Sequence, residues 1–170
     1  QLHQAGYSAA RIGALMLPWA LASATAITAS KRLLARFGPA TVLRTGMLLQ
    51  ASGLLLMALL PQPAFALAAL LFALMGAGGS LCSSTAQTLA FHGVEGEALG
   101  DASALWNLNR QLSFCLGTAA IALLLALAMQ WLPANATRVA LGLAALLTLL
   151  PMVLLRRPQS ISLSQPETMQ

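Results

Sequence analysis

An all-α integral membrane fold with about five transmembrane helices is what this sequence predicts, and three observations carry it. The 170 residues are 58% hydrophobic and only 8% charged, against roughly 25% charged in an average soluble domain. Mean hydropathy is +0.78. The apolar residues fall in long blocks, and a helix needs roughly 20 of them to cross a hydrocarbon core about 30 Å thick. The expected spans are 12–30, 41–60, 64–91, 103–131 and 138–155, one bundle within residues 1–158, followed by a polar cytoplasmic tail at 159–170.

The first span follows a short polar lead in which Gly6, Tyr7 and Ser8 meet the membrane interface. Pro18 removes a backbone donor inside this span and predicts a kink. Ala22, Ala26 and Ser30, four apart, offer a narrow face for close packing on another helix. The cationic turn KRLLARFGPATVLR, residues 31–44, holds four of the nine Lys and Arg residues. The second span stops at the uncharged hairpin Pro61-Gln62-Pro63. The third turns from greasy to small and hydroxylic at Gly76-Ala77-Gly78-Gly79-Ser80, with Ser83, Ser84, Thr85, Gln87 and Thr88 beyond. That composition suits a protein interior or an aqueous cavity. The loop HGVEGEALGD, opening at His92, holds Glu95, Glu97 and Asp101, three of the four carboxylates. Asp101 or Ser103 is expected to cap the fourth span, and a short turn leads to the fifth, which ends at Arg156-Arg157-Pro158.

Lys31, Arg32, Arg36, Arg44, Arg156 and Arg157 fall on one side of these spans, Arg11 and Arg138 on the other, and Arg110 within one. Cytoplasmic loops carry the excess of Lys and Arg, so the N-terminus is expected outside and the C-terminus in the cytoplasm. The net charge of +5 does not indicate nucleic acid, because the cations sit at the ends of apolar runs, against lipid headgroups, without base-reading or stacking groups beside them. Cys82 and Cys115 lack metal or disulfide spacing and read as small buried hydrophobes. Residues 76–80 lack the lysine of a phosphate-cradling loop. No enzyme, cofactor or metal is expected. With no initiator Met before Gln1 and no signal peptide, a piece of a longer protein is expected.

Leu33, Arg36 and Gly38 fit the spacing of a G-x-L-x-D-R-x-G-R-R loop, with Lys31 and Ala35 in place of its first Gly and its Asp. Upstream lies GYSAARIGALMLPWALASA and downstream EGEALGDASALWNLNRQLSFCLGTA. In this arrangement the chain resembles the second half of a major facilitator superfamily transporter, particularly the drug:proton antiporter branches. There the loop motif lies between helices two and three, with a degenerate copy between helices eight and nine. The resemblance implies that the five spans are helices eight to twelve of a twelve-helix protein of the bacterial inner membrane. The missing N-terminal half would be the partner bundle for alternating access. It further implies export of a small organic or drug-like substrate in exchange for protons. No acid lies deep in a span, so the coupling carboxylate is expected from the absent half, and the chain alone is not expected to transport. The antiporter-specific glycine motif belongs to the family's fifth helix, outside these spans.

Substrate-path candidates are Trp19, Gln50, Gln87, Trp106, Asn107 and Arg110. Arg110 lies roughly 10 Å along its span, where a charge is costly and marks a functional site unless it snorkels to the headgroups. Gln50 and Gln87 contact substrate or bridge helices. Trp19 and Trp106, with Met16, line a greasy path or simply pack. Lys31, Arg32, Leu33, Arg36, Gly38, Glu97 and Asp101 form the cytoplasmic loop and candidate gate. In it Arg36 pairs with Asp101 or Glu97 and the contact breaks as the bundles rock; the alternative is a solvated determinant of orientation. Two other readings of the chain stay open: a truncated membrane scaffold or interaction protein that moves nothing, and an importer of a small metabolite.

Overall fold

The computed structural model of the chain describes residues 9–60 and 63–154. Gly6, Tyr7, Ser8, Pro61, Gln62, Arg156, Arg157 and the 159–170 tail lie outside the described residues. The described chain is all-helical: α1 Ala9–Ala14, α2 Met16–Phe37, α3 Pro39–Leu59, α4 Phe65–Ala90, α5 Ala98–Trp131 and α6 Ala136–Leu154. Helices α3 to α6 are long and apolar enough to cross a membrane. Helix α2 has 22 residues, but Lys31, Arg32 and Arg36 occupy its final turns and end its apolar part at Ser30.

Proline decides where α2 begins. An interior proline clashes with the carbonyl four residues back, which for Pro18 is that of Ala14, and α1 ends at Ala14. The helix restarts at Met16, so Pro18 falls in the first turn of α2, where its missing N–H costs no intrahelical bond. The kink expected inside the span is corrected to a break at Leu15, three residues earlier, and Leu15 is buried.

The expected cationic turn is also corrected, because residues 31–44 form two helix ends and a one-residue corner. Gly38 has φ 76° and ψ 159°, a backbone region essentially restricted to glycine. Its N–H caps the Leu34 carbonyl at 3.0 Å, and Pro39 opens α3, a position that its fixed φ suits. Lys31, Arg32 and Arg36 ride on the C-terminal end of α2, where the helix dipole favours cations, and Arg44 lies on α3. Gly38→Ala is expected to cost about 1–3 kcal/mol, read as a lower thermal unfolding midpoint in detergent. An unchanged midpoint would mean that the corner does not need this conformation.

Helix α4 lies between α2 and α3, α6 packs on α3, and α5 rests on α6. Glycine lets α4 touch both neighbours closely. A Cβ on Gly78 would stand 2.5 Å from the Gln50 amide nitrogen of α3, and one on Gly76 would stand 2.5 Å from the Trp19 carbonyl of α2. Residues two apart point about 200° from one another around a helix, so the pair serves opposite sides at one level. Ala26, Val42 and Leu81 form the buried centre where the three helices meet, with Leu33, Leu34, Leu49 and Ala77 against it. The small face expected at Ala22, Ala26 and Ser30 is the inward face of α2: Ala26 and Ser30 are buried, and the Ser84 hydroxyl of α4 donates to Ser30 Oγ at 2.8 Å. Helix α6 turns Ala136, Ala140 and Ala145 inward.

Among the long helices α5 differs in having no buried residue. Cys115, expected to be buried, is exposed on it, since no other described helix covers that side. Cys82 is half-buried and points its Sγ at the Leu43 carbonyl, 3.6 Å away. The expected cap at Asp101 or Ser103 is corrected as well. Helix α5 starts at Ala98 with Glu97 at the cap and no side-chain cap bond, because the loop glycines turn the chain earlier than the apolar pattern begins.

Candidate functional site

The α4–α5 corner gathers several of the sequence-derived candidates. Gly93 and Gly96, at φ 80° and 63°, reverse the chain between the two helices. The Phe91 and Trp106 rings then meet edge to face, with centroids 6.2 Å apart and planes at 62°. These rings, with Ala90, Ala102, Leu105 and Asn109, line a cleft of about 430 Å³. Trp106, Asn109 and Arg110 are spaced so that they share a face of α5, while Asn107 is rotated to one side. Asp101 sits exposed in the first turn of α5, where the helix dipole favours a carboxylate.

The 34 residues of α5 reach about 51 Å, well beyond a hydrocarbon core of about 30 Å. The apolar block 112–131 alone is long enough to span, with Trp131 suited to the far interface. Arg110 precedes that block. It is exposed there, with Asn107 and Gln111 exposed beside it.

The remaining path candidates are spread over the bundle. Trp19 packs on α4, its carbonyl and Cδ1 filling the space over Gly76. Gln50 is half-buried on α3, and its amide oxygen lies 3.4 Å from where a Cβ on Gly79 would be. Gln87 is exposed near the end of α4. Trp19 and Gln50 therefore sit on opposite flanks of α4, and neither joins the Trp106 cleft.

At the α2–α3 corner Lys31, Arg32 and Arg36 are exposed, and Leu33 is half-buried. The Arg36 guanidinium carbon lies 5.4 Å over the centroid of the Phe37 ring, a cation–π distance. Among the described residues Arg36 forms no ion pair with Asp101 or Glu97. In this structure the candidate gate is two separate corners, one cationic and one acidic, without a joining contact.

Sequence reasoning counted Arg138 only as an outer cation. Its Nε donates to the Ala58 carbonyl at 2.8 Å and its Nη2 to the Leu59 carbonyl at 3.1 Å, so it caps the end of α3 from the start of α6. The signal available in the sequence was a cation placed just inside a span across from an uncapped helix end, which contains no information about reach. Asn109 lines the Trp106 cleft and is not among the residues the sequence singles out. Among the described residues no group of three or more His, Cys, Asp or Glu is placed to hold a metal.

The described residues offer helix faces, clefts and charged corners. No curated protein and no solved structure matches the chain. The family model described as Major Facilitator Superfamily matches residues 2–169, nearly the entire length. The chain belongs to the Major Facilitator Superfamily of membrane transporters.

Proposed function

We propose that the chain forms helices eight to twelve of a proton-coupled exporter of small amphipathic organic compounds, working by alternating access against an N-terminal bundle. The observation that carries this reading is α5. It exposes Ser113, Phe114, Gly117, Thr118 and Ile121 around an open groove, and a Cβ on Gly117 would meet nothing within 4 Å. Ser113 and Gly117, four apart, are the small-residue spacing by which membrane helices approach closely. On α4 the corresponding glycines are filled by neighbouring backbone; on α5 the seat is open to a second bundle. Asn107, Arg110 and Gln111 stand exposed above it, suited to a polar mouth.

On this reading the cationic α2–α3 corner and the acidic α4–α5 corner both face the cytoplasm, the Arg138 cap faces outward, and the protein resides in the bacterial inner membrane. Substrate approaches past Trp106 and Arg110, and the two corners engage the partner bundle as it rocks. The coupling carboxylate belongs to that partner, since no described span of this chain has an acid in its interior.

Everted membrane vesicles carrying the protein with its partner bundle are expected to accumulate a lipophilic fluorescent cation when the interior is acidified, and to stop when the gradient is collapsed. Arg110→Ala is expected to lower that rate about tenfold or more, equivalent to about 1.4 kcal/mol or more, at unchanged protein level. Accumulation indifferent to the proton gradient would overturn the antiport reading.

A further inference from the structure

A second groove, of about 240 Å³, opens at the α2–α3 corner between Leu33, Phe37, Thr41, Val42, Thr45 and Leu81. Its floor is apolar, with Val42 at 4% and Leu81 at 6% exposure. The Thr45 hydroxyl is turned away to the Thr41 carbonyl at 2.9 Å. Thr45 lies six residues past the start of α3 and Leu81 nine residues before the end of α4, roughly 9 and 13 Å along those axes. The slot thus descends from headgroup level into the hydrocarbon.

Each helix wall of the groove carries an arginine next to its lining residues in sequence. Arg36 is three residues after Leu33 and one before Phe37, and Arg44 is three after Thr41 and one before Thr45. Residues three apart are neighbours on a helix surface, so each wall carries an arginine beside its lining residues. Arg36 is held there by Phe37, whose ring lies 5.4 Å beneath it. Arg32, one turn from Arg36 on the same face, extends the rim. No Asp or Glu occurs in the sequence before Glu95, and among the described residues none of these arginines is ion-paired.

We propose that this corner is a binding site for an anionic phospholipid, with the phosphate between Arg36 and Arg44 and one acyl chain in the slot. Guanidinium pairs bind phosphate oxygens with charge-assisted hydrogen bonds, and basic pockets between membrane helices take anionic headgroups. A soluble anion has no use for the slot, and a neutral lipid has none for the arginines. The site is independent of what the protein transports.

The test titrates phosphatidylglycerol, phosphatidylcholine and glycerol 3-phosphate onto the detergent-purified chain, with bound lipid read by native mass spectrometry. Phosphatidylglycerol is expected to bind more tightly than phosphatidylcholine. The double variant R36Q/R44Q is expected to weaken it about 30-fold. Variant K31Q/R110Q loses the same charge away from the groove, Lys31 being on the opposite face of α2 from Leu33, and is expected to weaken binding less than about threefold. Thr41→Phe fills the slot from an exposed position, keeps every charge, and is expected to weaken phosphatidylglycerol as well. Equal losses in the two double variants, full affinity in Thr41→Phe, or displacement by glycerol 3-phosphate at equal concentration would each overturn the proposal.

Discussion

Alanine at Gly78 is expected to destabilise the bundle by about 1–3 kcal/mol, with leucine costing more. A Cβ there would lie 2.5 Å from the Gln50 nitrogen, 2.6 Å from the Gly46 oxygen and 3.0 Å from Gln50 Cα. All three are backbone atoms, so no side chain can rotate out of the way. One helix must shift, and the shift opens the neighbouring contacts of Gly46 on Cys82 and of Gly53 on Met75. Gly79→Ala is the control. Its Cβ would meet the flexible Gln50 amide at 3.4 Å, and alanine gains up to about 1 kcal/mol of helix propensity over glycine. Adjacent glycines should therefore respond in opposite directions in denaturant or thermal unfolding in detergent. Equal midpoints for Gly78→Ala and Gly79→Ala would contradict the close approach of α3 and α4.

That contrast also shows what the sequence can express. The run 76–80 is legible as a close-packing or cavity-facing stretch, because small and hydroxylic residues inside an apolar block have few other uses in a membrane. Which glycine meets which helix depends on the phase of α4 relative to two partners, and composition carries no phase. Ala26 and Ser30 were legible for the converse reason: a spacing of four within one helix determines a shared face without reference to any partner.

Hydropathy located the blocks and misplaced their ends. It reads where lipid begins, whereas helices continue past that level. Lys31, Arg32 and Arg36 end the apolar part of α2 but not the helix, since the glycine needed for the corner comes only at Gly38. Helix α5 likewise begins at Ala98, five residues before the expected span, so Arg110 lies further from the helix end than the apolar boundary implies. Pro18 was read as a kink because the apolar pattern runs through it, although its clash with the Ala14 carbonyl favours a break. At the candidate gate, opposite signs at Arg36 and Asp101 suggest a pair but carry no distance; in this structure Arg36 lies over its neighbour Phe37.

Arg138→Ala is expected to cost about 1.5–3 kcal/mol, the range for hydrogen bonds from a charged donor. The last four carbonyls of a helix have no intrahelical partner, and Arg138 serves two of those of α3, Ala58 at 2.8 Å and Leu59 at 3.1 Å. Ala58 is buried, so water does not readily replace the lost donor. Arg138→Lys separates two contributions. A lysine keeps the charge at the negative end of the α3 dipole, worth about 0.3–1 kcal/mol, but a point-charge ammonium lacks the planar fork that reaches both carbonyls. The lysine variant should accordingly lie between wild type and alanine. Full retention by lysine would mean that charge alone matters. The position of the contact makes the loss more than local. Helix α5 is joined to the others mainly through α6, and α6 mainly through α3, so loosening this edge frees α5 and α6 together while the glycine-packed trio of α2, α3 and α4 stays closed. Two unfolding steps are expected in Arg138→Ala, with thiol labelling of an added cysteine on α6 preceding labelling of Cys82 on α4. Coincident labelling of both in a single transition would show that the α3–α6 edge is not the weak seam of the bundle.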